Sequence, residues 1–161
     1  MDKILYKNRR NSLKNNLPDN CALIIPGADL QYRNADSSYF LRQESNFYYF
    51  SGFCEPSSLM VMLNNGESIK SIIFVPEKDK LKEIWDGYRS GPLGAVDEYL
   101  FDQAFNNTQI DELMPELLKG SKKVFYPIGK KSGFDQKVID WSTSANSKDR
   151  YMHSIDIIDG S

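Results

Sequence analysis

Two apolar runs on either side of a short polar segment constrain the fold of this chain most strongly. Residues 58–63 read SLMVML and residues 71–75 read SIIFV, and an Asn-Gly pair lies between them within residues 64–67. Because Asn and Gly tolerate the positive φ angles that a tight turn requires, the pattern predicts a β-hairpin. Pro76 follows the second run and has no backbone N–H, so it ends the second predicted strand.

Helical and strand patterns alternate through the rest of the chain. Apolar residues at helical spacing predict helices at residues 3–16, 80–85, 109–118 and 134–142. Short apolar runs predict further strands at residues 21–26, 123–127 and 154–158. The glycines and the proline of residues 87–95 indicate an exposed, ordered loop. This alternation predicts an α/β fold, a single domain in which helices flank a mixed β-sheet.

The first predicted helix carries basic residues opposite its apolar side. The basic residues are Lys3, Lys7, Arg9, Arg10 and Lys14, and the apolar ones are Ile4, Leu5 and Leu13. Such a face either binds phosphate groups or is simply solvated. We favour the solvated interpretation because no aromatic residues are interleaved with the charges.

Composition argues against several classes of protein. The chain has 161 residues, of which 40% are hydrophobic and 26% charged, as is typical of a globular protein. Its formal net charge of -2 predicts no general attraction to nucleic acid or to an anionic membrane. The N-terminal residues lack the apolar core of a signal peptide, and Cys21 and Cys54 form no CxxC motif. We therefore expect a reduced, cytoplasmic chain.

The residues that most often carry chemistry do not form a recognisable site. His153 is the one histidine, stands in no metal-binding motif, and is interpreted as a surface or linker residue. Cys54 has no histidine near it in the sequence and is interpreted as a buried structural cysteine. The patterns therefore predict neither a catalytic group nor a metal site.

One pair of carboxylates leaves two interpretations open. Glu83 and Asp86 lie three residues apart, so they could share a helix face and act as an acid/base pair. Helix solubility or an ion pair with Lys82 or Arg89 explains these acids about as well.

Residues 39–56, YFLRQESNFYYFSGFCEP, combine many aromatic residues with polar side chains. The rings can bury a large apolar area, whereas Arg42, Gln43 and Glu44 need hydrogen-bond partners wherever they are buried. The Ser51-Gly52 pair is a turn signal that closes the cluster. The segment is predicted to be a structured junction.

Two segments of the chain resemble one known family. Residues 42–56 resemble a first sequence pattern, R-Q-x-S-x-F-x-Y-x-[ST]-G-F-x-E-P. Residues 83–95 resemble a second, E-I-W-x-G-x-R-x-G-x-x-G-A. The family whose N-terminal domain carries these two patterns is the Xaa-Pro aminopeptidases, also called aminopeptidase P. The resemblance extends over the longer segments 33–56 and 74–95 and covers most of residues 1–158. It implies one creatinase-type N-terminal domain, a mixed sheet with flanking helices. Residues 159–161 are interpreted as a truncation point or an expression remnant.

The resemblance implies that the peptidase chemistry lies outside these residues. In the family, two aspartates, a histidine and two glutamates of a C-terminal pita-bread domain hold two divalent metals, typically manganese. No part of that domain is present in the sequence, so we expect no catalytic residue, metal ligand or cofactor in this chain. The whole enzyme would release an N-terminal residue that precedes proline.

The resemblance also implies partners and leaves alternatives. The expected partners are the C-terminal catalytic domain, further copies in a homo-oligomer and the proline-containing peptides bound by the whole enzyme. Nucleic acid and membranes are not expected partners. One alternative is a stand-alone binding or assembly module without peptidase activity. Another is the N-terminal domain of a prolidase or creatinase relative.

Individual residues receive roles from the same resemblance. Trp85 of the EIW motif is implied to reach toward a neighbouring subunit's active site and to shape the substrate cleft, with Tyr88 and Arg89 supporting the same loop. The alternative is that Trp85 packs onto its own sheet. The first motif is implied to be a structural scaffold, formed by Arg42, Gln43, Phe47, Tyr49, Gly52, Phe53, Glu55 and Pro56.

Overall fold

A mixed β-sheet with helices on both faces forms the domain. The computed structural model describes residues 2–30, 41–147 and 156–159. The strands are β1 (Cys21–Pro26), β2 (Leu59–Asn64), β3 (Ile69–Val75), β4 (Gln103–Asn106), β5 (Lys123–Tyr126) and β6 (Asp156–Asp159). The helices are α1 (Lys3–Ser12), α2 (Ser45–Ser51), α3 (Lys80–Asp86), α4 (Gly91–Tyr99), α5 (Ile110–Leu118) and α6 (Ser132–Ser147). Single 3-10 turns at Leu13–Asn15 and Asn107–Gln109 follow α1 and precede α5.

Six strands in the described part of the chain pair in the order β4-β3-β2-β1-β5-β6. The predicted hairpin is confirmed, because β2 and β3 pair antiparallel from Leu59 opposite Phe74 to Asn64 opposite Ile69. The β1–β2 pair is also antiparallel, and the other three pairs are parallel. The predicted α/β class with a mixed sheet is therefore correct.

Both faces of the sheet are covered, so the central strands are apolar at nearly every position. Along β1, Ala22 and Ile24 pack in one core, and Leu23 and Ile25 pack in the core on the opposite face. The first core includes residues of α5 and α6, and the second includes residues of α2 and α4. Burial on both faces produces the continuous apolar runs that predicted the strands.

The prediction of a loop over residues 87–95 is wrong, because α4 begins at Gly91. Pro92 lies in the first turn of this helix, where its missing N–H costs no hydrogen bond. A Cβ on Gly91 would lie 2.7 Å from the Cβ of Lys78, and a Cβ on Gly94 would lie 2.9 Å from the Cβ of Ser90. These glycines permit close packing at the start of a helix, although the sequence pattern resembles a loop.

Other differences concern single residues and short elements. Strand β4 was not predicted, since four half-buried residues at the sheet edge carry little signal. Arg10, predicted to lie on a solvated face, is only 1% exposed, and Cys54, predicted to be buried, is exposed. Pro115 lies inside α5, and the helix continues past it. His153, residues 33–40 of the family resemblance and residues 160–161 lie outside the described residues.

Candidate functional site

The amide of Gln43 connects three segments of the domain. Its Oε1 accepts hydrogen bonds from the backbone N–H groups of Ala28 at 2.7 Å and Glu44 at 3.0 Å. Its Nε2 donates to the carbonyl oxygens of Phe53 and Glu55, both at 3.2 Å. All four hydrogen-bonding positions of the amide are therefore used. They link the exit of β1, the start of α2 and the chain that follows α2.

The short helix α2 is fixed at both ends. Glu44 caps its N-terminus, where the carboxylate Oε2 accepts from the N–H of Phe47 at 2.7 Å. Gly52 follows its last residue with φ of 67°, the left-handed conformation that favours glycine at a helix C-terminus. A Cβ on Gly52 would approach the ring of Tyr6 to 2.7 Å. The Ser51-Gly52 turn signal thus ends a helix that the sequence did not predict.

The remaining motif residues divide into buried and exposed groups. Phe47 and Phe53 are fully buried, and Phe53 contacts the ring of Tyr99 edge-on at a centroid distance of 4.9 Å. Pro56 is buried, whereas Arg42 is exposed. Tyr49 is half-exposed, and the guanidinium of Arg9 stacks over it at 4.1 Å.

Glu55 links this motif to the start of α4. Its Oε2 accepts from the N–H of Ser90 at 3.0 Å and from the hydroxyl of Ser90 at 2.8 Å. The Nε of Arg89 lies 4.0 Å from Oε1 of the same carboxylate. The two family-like segments are therefore in direct contact through Glu55.

Helix α3 carries an exposed apolar surface. None of its residues is buried, and the side chains of Leu81, Ile84 and Trp85 are 75%, 74% and 88% exposed. Leu81 and Trp85 are four residues apart, so they lie on the same face of the helix. Trp85 therefore does not pack onto the described part of its own sheet.

A network of polar contacts lies beside this surface. The Oε1 of Glu83 accepts from the ammonium of Lys78 at 2.9 Å and from the backbone N–H of Arg89 at 3.1 Å. The same ammonium donates to the carbonyl oxygen of Arg89 at 2.8 Å. The hydrogen bond between the two side chains lowers the pKa of Glu83 and raises that of Lys78. Glu83 is thus held as a carboxylate, as an ion pair requires.

The ion-pair interpretation of Glu83 holds, but with a partner that the sequence did not suggest. The cation comes from Lys78, five residues earlier and outside the helix, and Arg89 contributes its backbone instead of its side chain. The Arg89 side chain donates from Nη1 to the carbonyl oxygen of Tyr88 at 3.2 Å. Spacing within a helix could not reveal a contact made by residues on either side of it.

Tyr88 extends the same cluster toward solvent. Its ring is exposed and lies under the ammonium of Lys78 at 4.3 Å from the centroid. Its hydroxyl donates to the carboxylate of Glu98 on α4 at 3.4 Å. The three candidate residues of this segment differ in exposure. Trp85 and Tyr88 are exposed, whereas the Arg89 side chain is mostly covered.

Two grooves open near the carboxyl ends of the strands. One of about 250 Å³ lies beside α3 and is lined in part by Pro76, Lys82, Asp86 and Arg89. A larger one of about 530 Å³ lies near the ends of β1 and β5. Lys131 lines the larger groove, and its ammonium contacts Asp29 at 2.9 Å and the carbonyl oxygen of Gly27 at 3.1 Å. That cation is therefore already partnered within the chain.

The described residues form neither a metal-binding cluster of side chains nor a membrane-spanning helix. Across residues 2–30, 41–147 and 156–159, no three His, Cys, Asp or Glu side chains are grouped so that they could hold a metal ion. Among the same residues, no helix has the length and apolarity needed to cross a membrane.

The two linked motifs belong to one known domain family, which a sequence profile and individual relatives identify. The profile of the aminopeptidase P N-terminal domain matches residues 6–126. The chain is 32% identical over 125 residues to the Xaa-Pro aminopeptidase of Escherichia coli, covering 77% of this chain. It is 28% identical over 159 residues to intermediate cleaving peptidase 55 of Saccharomyces cerevisiae, covering 97% of this chain.

A solved structure gives the same result. The Pseudomonas aeruginosa aminopeptidase PepP superimposes with a TM-score of 0.90 at 32% identity, over 99% of this chain and 36% of that one. The chain belongs to the aminopeptidase P N-terminal domain family. It spans less than a third of the length of its curated relatives, 28% of the E. coli protein and 29% of the yeast protein.

Proposed function

We propose that this chain is the non-catalytic N-terminal domain of a Xaa-Pro aminopeptidase, and that its α3 surface borders the substrate cleft or contacts a neighbouring subunit. The observation that carries the proposal is the exposure of Trp85 at 88% within a segment that matches the family's EIW motif. A tryptophan this exposed buries little area in its own domain, whereas such side chains often anchor contacts between molecules.

The rest of the enzyme would supply the chemistry. In such a protein, two divalent metals, manganese by expectation, would activate the water that attacks the peptide bond before proline. The described residues of this chain would contribute no metal ligand. They would instead present a rigid apolar surface, and a ring of this size suits a proline-containing peptide or the surface of another subunit.

The direct test uses the longer protein that carries this domain. Replacement Trp85→Ala should lower kcat/KM for an Xaa-Pro peptide, because the ring would no longer close the cleft. Lys7→Met, on an exposed position of α1, serves as a control that removes a surface side chain elsewhere. Equal kinetics of Trp85→Ala and the parent protein would contradict the role of this surface. The 161-residue chain alone should not cleave the peptide.

A second function uses the same surface differently. The exposed apolar side chains of α3 also suit a stand-alone binding or assembly module, in which a protein partner covers Trp85. The coding sequence after Ser161 discriminates between the two. A downstream domain with the Asp, Asp, His, Glu, Glu ligand set supports the peptidase, and a stop codon supports the module. The substrate-selecting residues of that domain would distinguish a prolidase or creatinase relative.

A further inference from the structure

Helix α3 has no hydrophobic anchor, so its position must be set by other contacts. Its residues from Lys80 to Asp86 include none that is buried, and its apolar side chains point toward solvent. The hydrophobic effect normally holds a helix of this length against its domain, because short helices are marginal on their own. Polar contacts must therefore replace it here.

The backbone at the two ends of α3 restrains it only in part. At the N-terminus, Oδ1 of Asp79 accepts from the N–H of Leu81 at 2.9 Å and caps the helix. At the C-terminus, Gly87 has φ of 86° and ψ of 178°, a conformation essentially restricted to glycine. Nothing in the described structure lies within 4 Å of the position where a Cβ on Gly87 would stand. The C-terminal connection is thus a glycine in open space, which by itself would let the helix pivot.

The Glu83 side chain supplies the missing restraint. It lies in the middle of α3 and receives hydrogen bonds from Lys78, before the helix, and from the Arg89 N–H, after it. Lys78 closes the ring by donating to the Arg89 carbonyl oxygen. The helix is therefore held at its centre to the two chain segments that flank it.

Those flanking segments are themselves fixed to the domain. Glu55 binds the N–H and the hydroxyl of Ser90, the residue that follows Arg89. The backbone of Gly91 approaches Lys78 so closely that a Cβ would be 2.7 Å from the Lys78 Cβ. A continuous set of polar contacts and close packing thus runs from the Gln43 scaffold through Glu55 and Ser90 to Glu83.

We propose that Glu83 and Lys78 form a clamp that fixes α3 to the domain and thereby positions Trp85. Both are positioning residues, since neither needs to touch a substrate. The geometry of the clamp stands without the peptidase, whereas its effect on peptide turnover rests on the proposed function of Trp85.

The clamp can be tested by NMR on the chain itself. The two tryptophans provide a built-in comparison, because Trp141 is buried and its indole N–H donates to Asp111 at 3.0 Å. The backbone order parameter at Trp85 should be near the value of about 0.85 that marks a rigid backbone, and should fall below about 0.6 in Glu83→Ala. Trp141 should keep its value, which shows that the fold is intact.

Conservative variants separate the clamp from a general loss of structure. Lys78→Arg keeps a cation and should keep Trp85 ordered, whereas Lys78→Met should release it as Glu83→Ala does. Asp86→Asn removes a carboxylate from the same helix and serves as the matched control, with no change expected. A flexible Trp85 in the unmodified chain, or an unchanged order parameter in both Glu83→Ala and Lys78→Met, would overturn the clamp.

A kinetic arm distinguishes failure of the clamp from failure of the proposed function. In the longer peptidase, Lys78→Met should lower kcat/KM about two- to fivefold, the range of an exposed ion pair, and Lys78→Arg should restore it. If Trp85→Ala has no kinetic effect while the NMR changes occur, the clamp stands and the cleft role fails. If Trp85→Ala impairs turnover while both clamp variants leave Trp85 ordered, the clamp fails and the cleft role stands.

Discussion

The Nη2 atom of Arg10 lies 2.9 Å from the carbonyl oxygen of Tyr99, which joins helix α1 to the end of helix α4. The same guanidinium donates to the carbonyl oxygens of Leu100 at 3.0 Å and Phe50 at 2.9 Å, and it stacks over the ring of Phe101 at 4.0 Å. Burial lowers the pKa of Arg10 to about 10, with Asp102 acting in the opposite direction. The group therefore remains a cation at neutral pH, where it caps the carbonyl ends of α2 and α4.

Replacement Arg10→Met should destabilise the domain by about 2–4 kcal/mol. Each carbonyl left without its donor costs about 1–3 kcal/mol, and removal of a desolvated charge offsets part of the total. The free energy of unfolding in urea at neutral pH measures the effect. Lys7→Met removes a charge from an exposed position of the same helix and should change it by less than about 0.5 kcal/mol. Equal effects of the two variants would contradict the role of Arg10 as a buried cap.

Replacement Gln43→Leu should cost about 2–5 kcal/mol, because it removes the partners of two N–H groups and two carbonyl groups at once. Gln43→Glu keeps the acceptor for Ala28 and Glu44 but replaces the donor NH₂ with a carboxylate oxygen that faces the carbonyl oxygens of Phe53 and Glu55, so it should also destabilise the domain at neutral pH. Thermal and urea unfolding measure both variants. Arg42→Gln changes the exposed neighbouring residue and should be close to neutral. A neutral Gln43→Leu would show that the scaffold does not depend on this amide.

The sequence predicted the sheet better than the connections between its elements. The runs of β1, β2 and β3 are apolar because both faces of the sheet are covered, and that burial is visible in composition alone. Helix α4 was missed because its glycines and proline are typical of a loop, whereas Gly91 is required by a close contact with Lys78, which lies in another part of the chain. Periodicity also placed Arg10 on a solvated face, since no local pattern shows that its guanidinium meets the ends of two other helices.

The candidate site was predictable only through the family resemblance. The EIW motif indicated Trp85 as a site residue. The apolar spacing of residues 80–85 did not predict that its side chain is almost fully exposed. The partner of Glu83 was missed for a physical reason, because Lys78 lies outside the helix, before its N-cap Asp79. Contacts within a helix follow from spacing, but contacts across its ends depend on how the chain bends.

Replacements at two glycines should change stability in opposite directions. Gly52→Ala forces a Cβ into a left-handed conformation at φ of 67° and against the ring of Tyr6, so it should destabilise the domain by about 1–2 kcal/mol or more. Gly133→Ala places a Cβ in open space in the first turn of α6, where alanine is the better helix former, and should slightly stabilise the domain. Melting temperatures of the two variants measure the contrast. A destabilising Gly133→Ala would contradict the open surroundings of that position.

The two tryptophans should differ sharply in their effect on stability. Trp141→Ala empties a buried position of α6 and removes its hydrogen bond to Asp111 on α5, so it should cost about 3–5 kcal/mol. Trp85→Ala removes a ring that is 88% exposed and should change the free energy of unfolding by less than about 0.5 kcal/mol. Far-UV circular dichroism during urea unfolding measures both without relying on the fluorophore that each variant loses. A cost above about 1 kcal/mol for Trp85→Ala would mean that the ring packs onto its own domain. The kinetic loss expected from Trp85→Ala in the longer enzyme would then have a folding origin instead of a place at the substrate cleft.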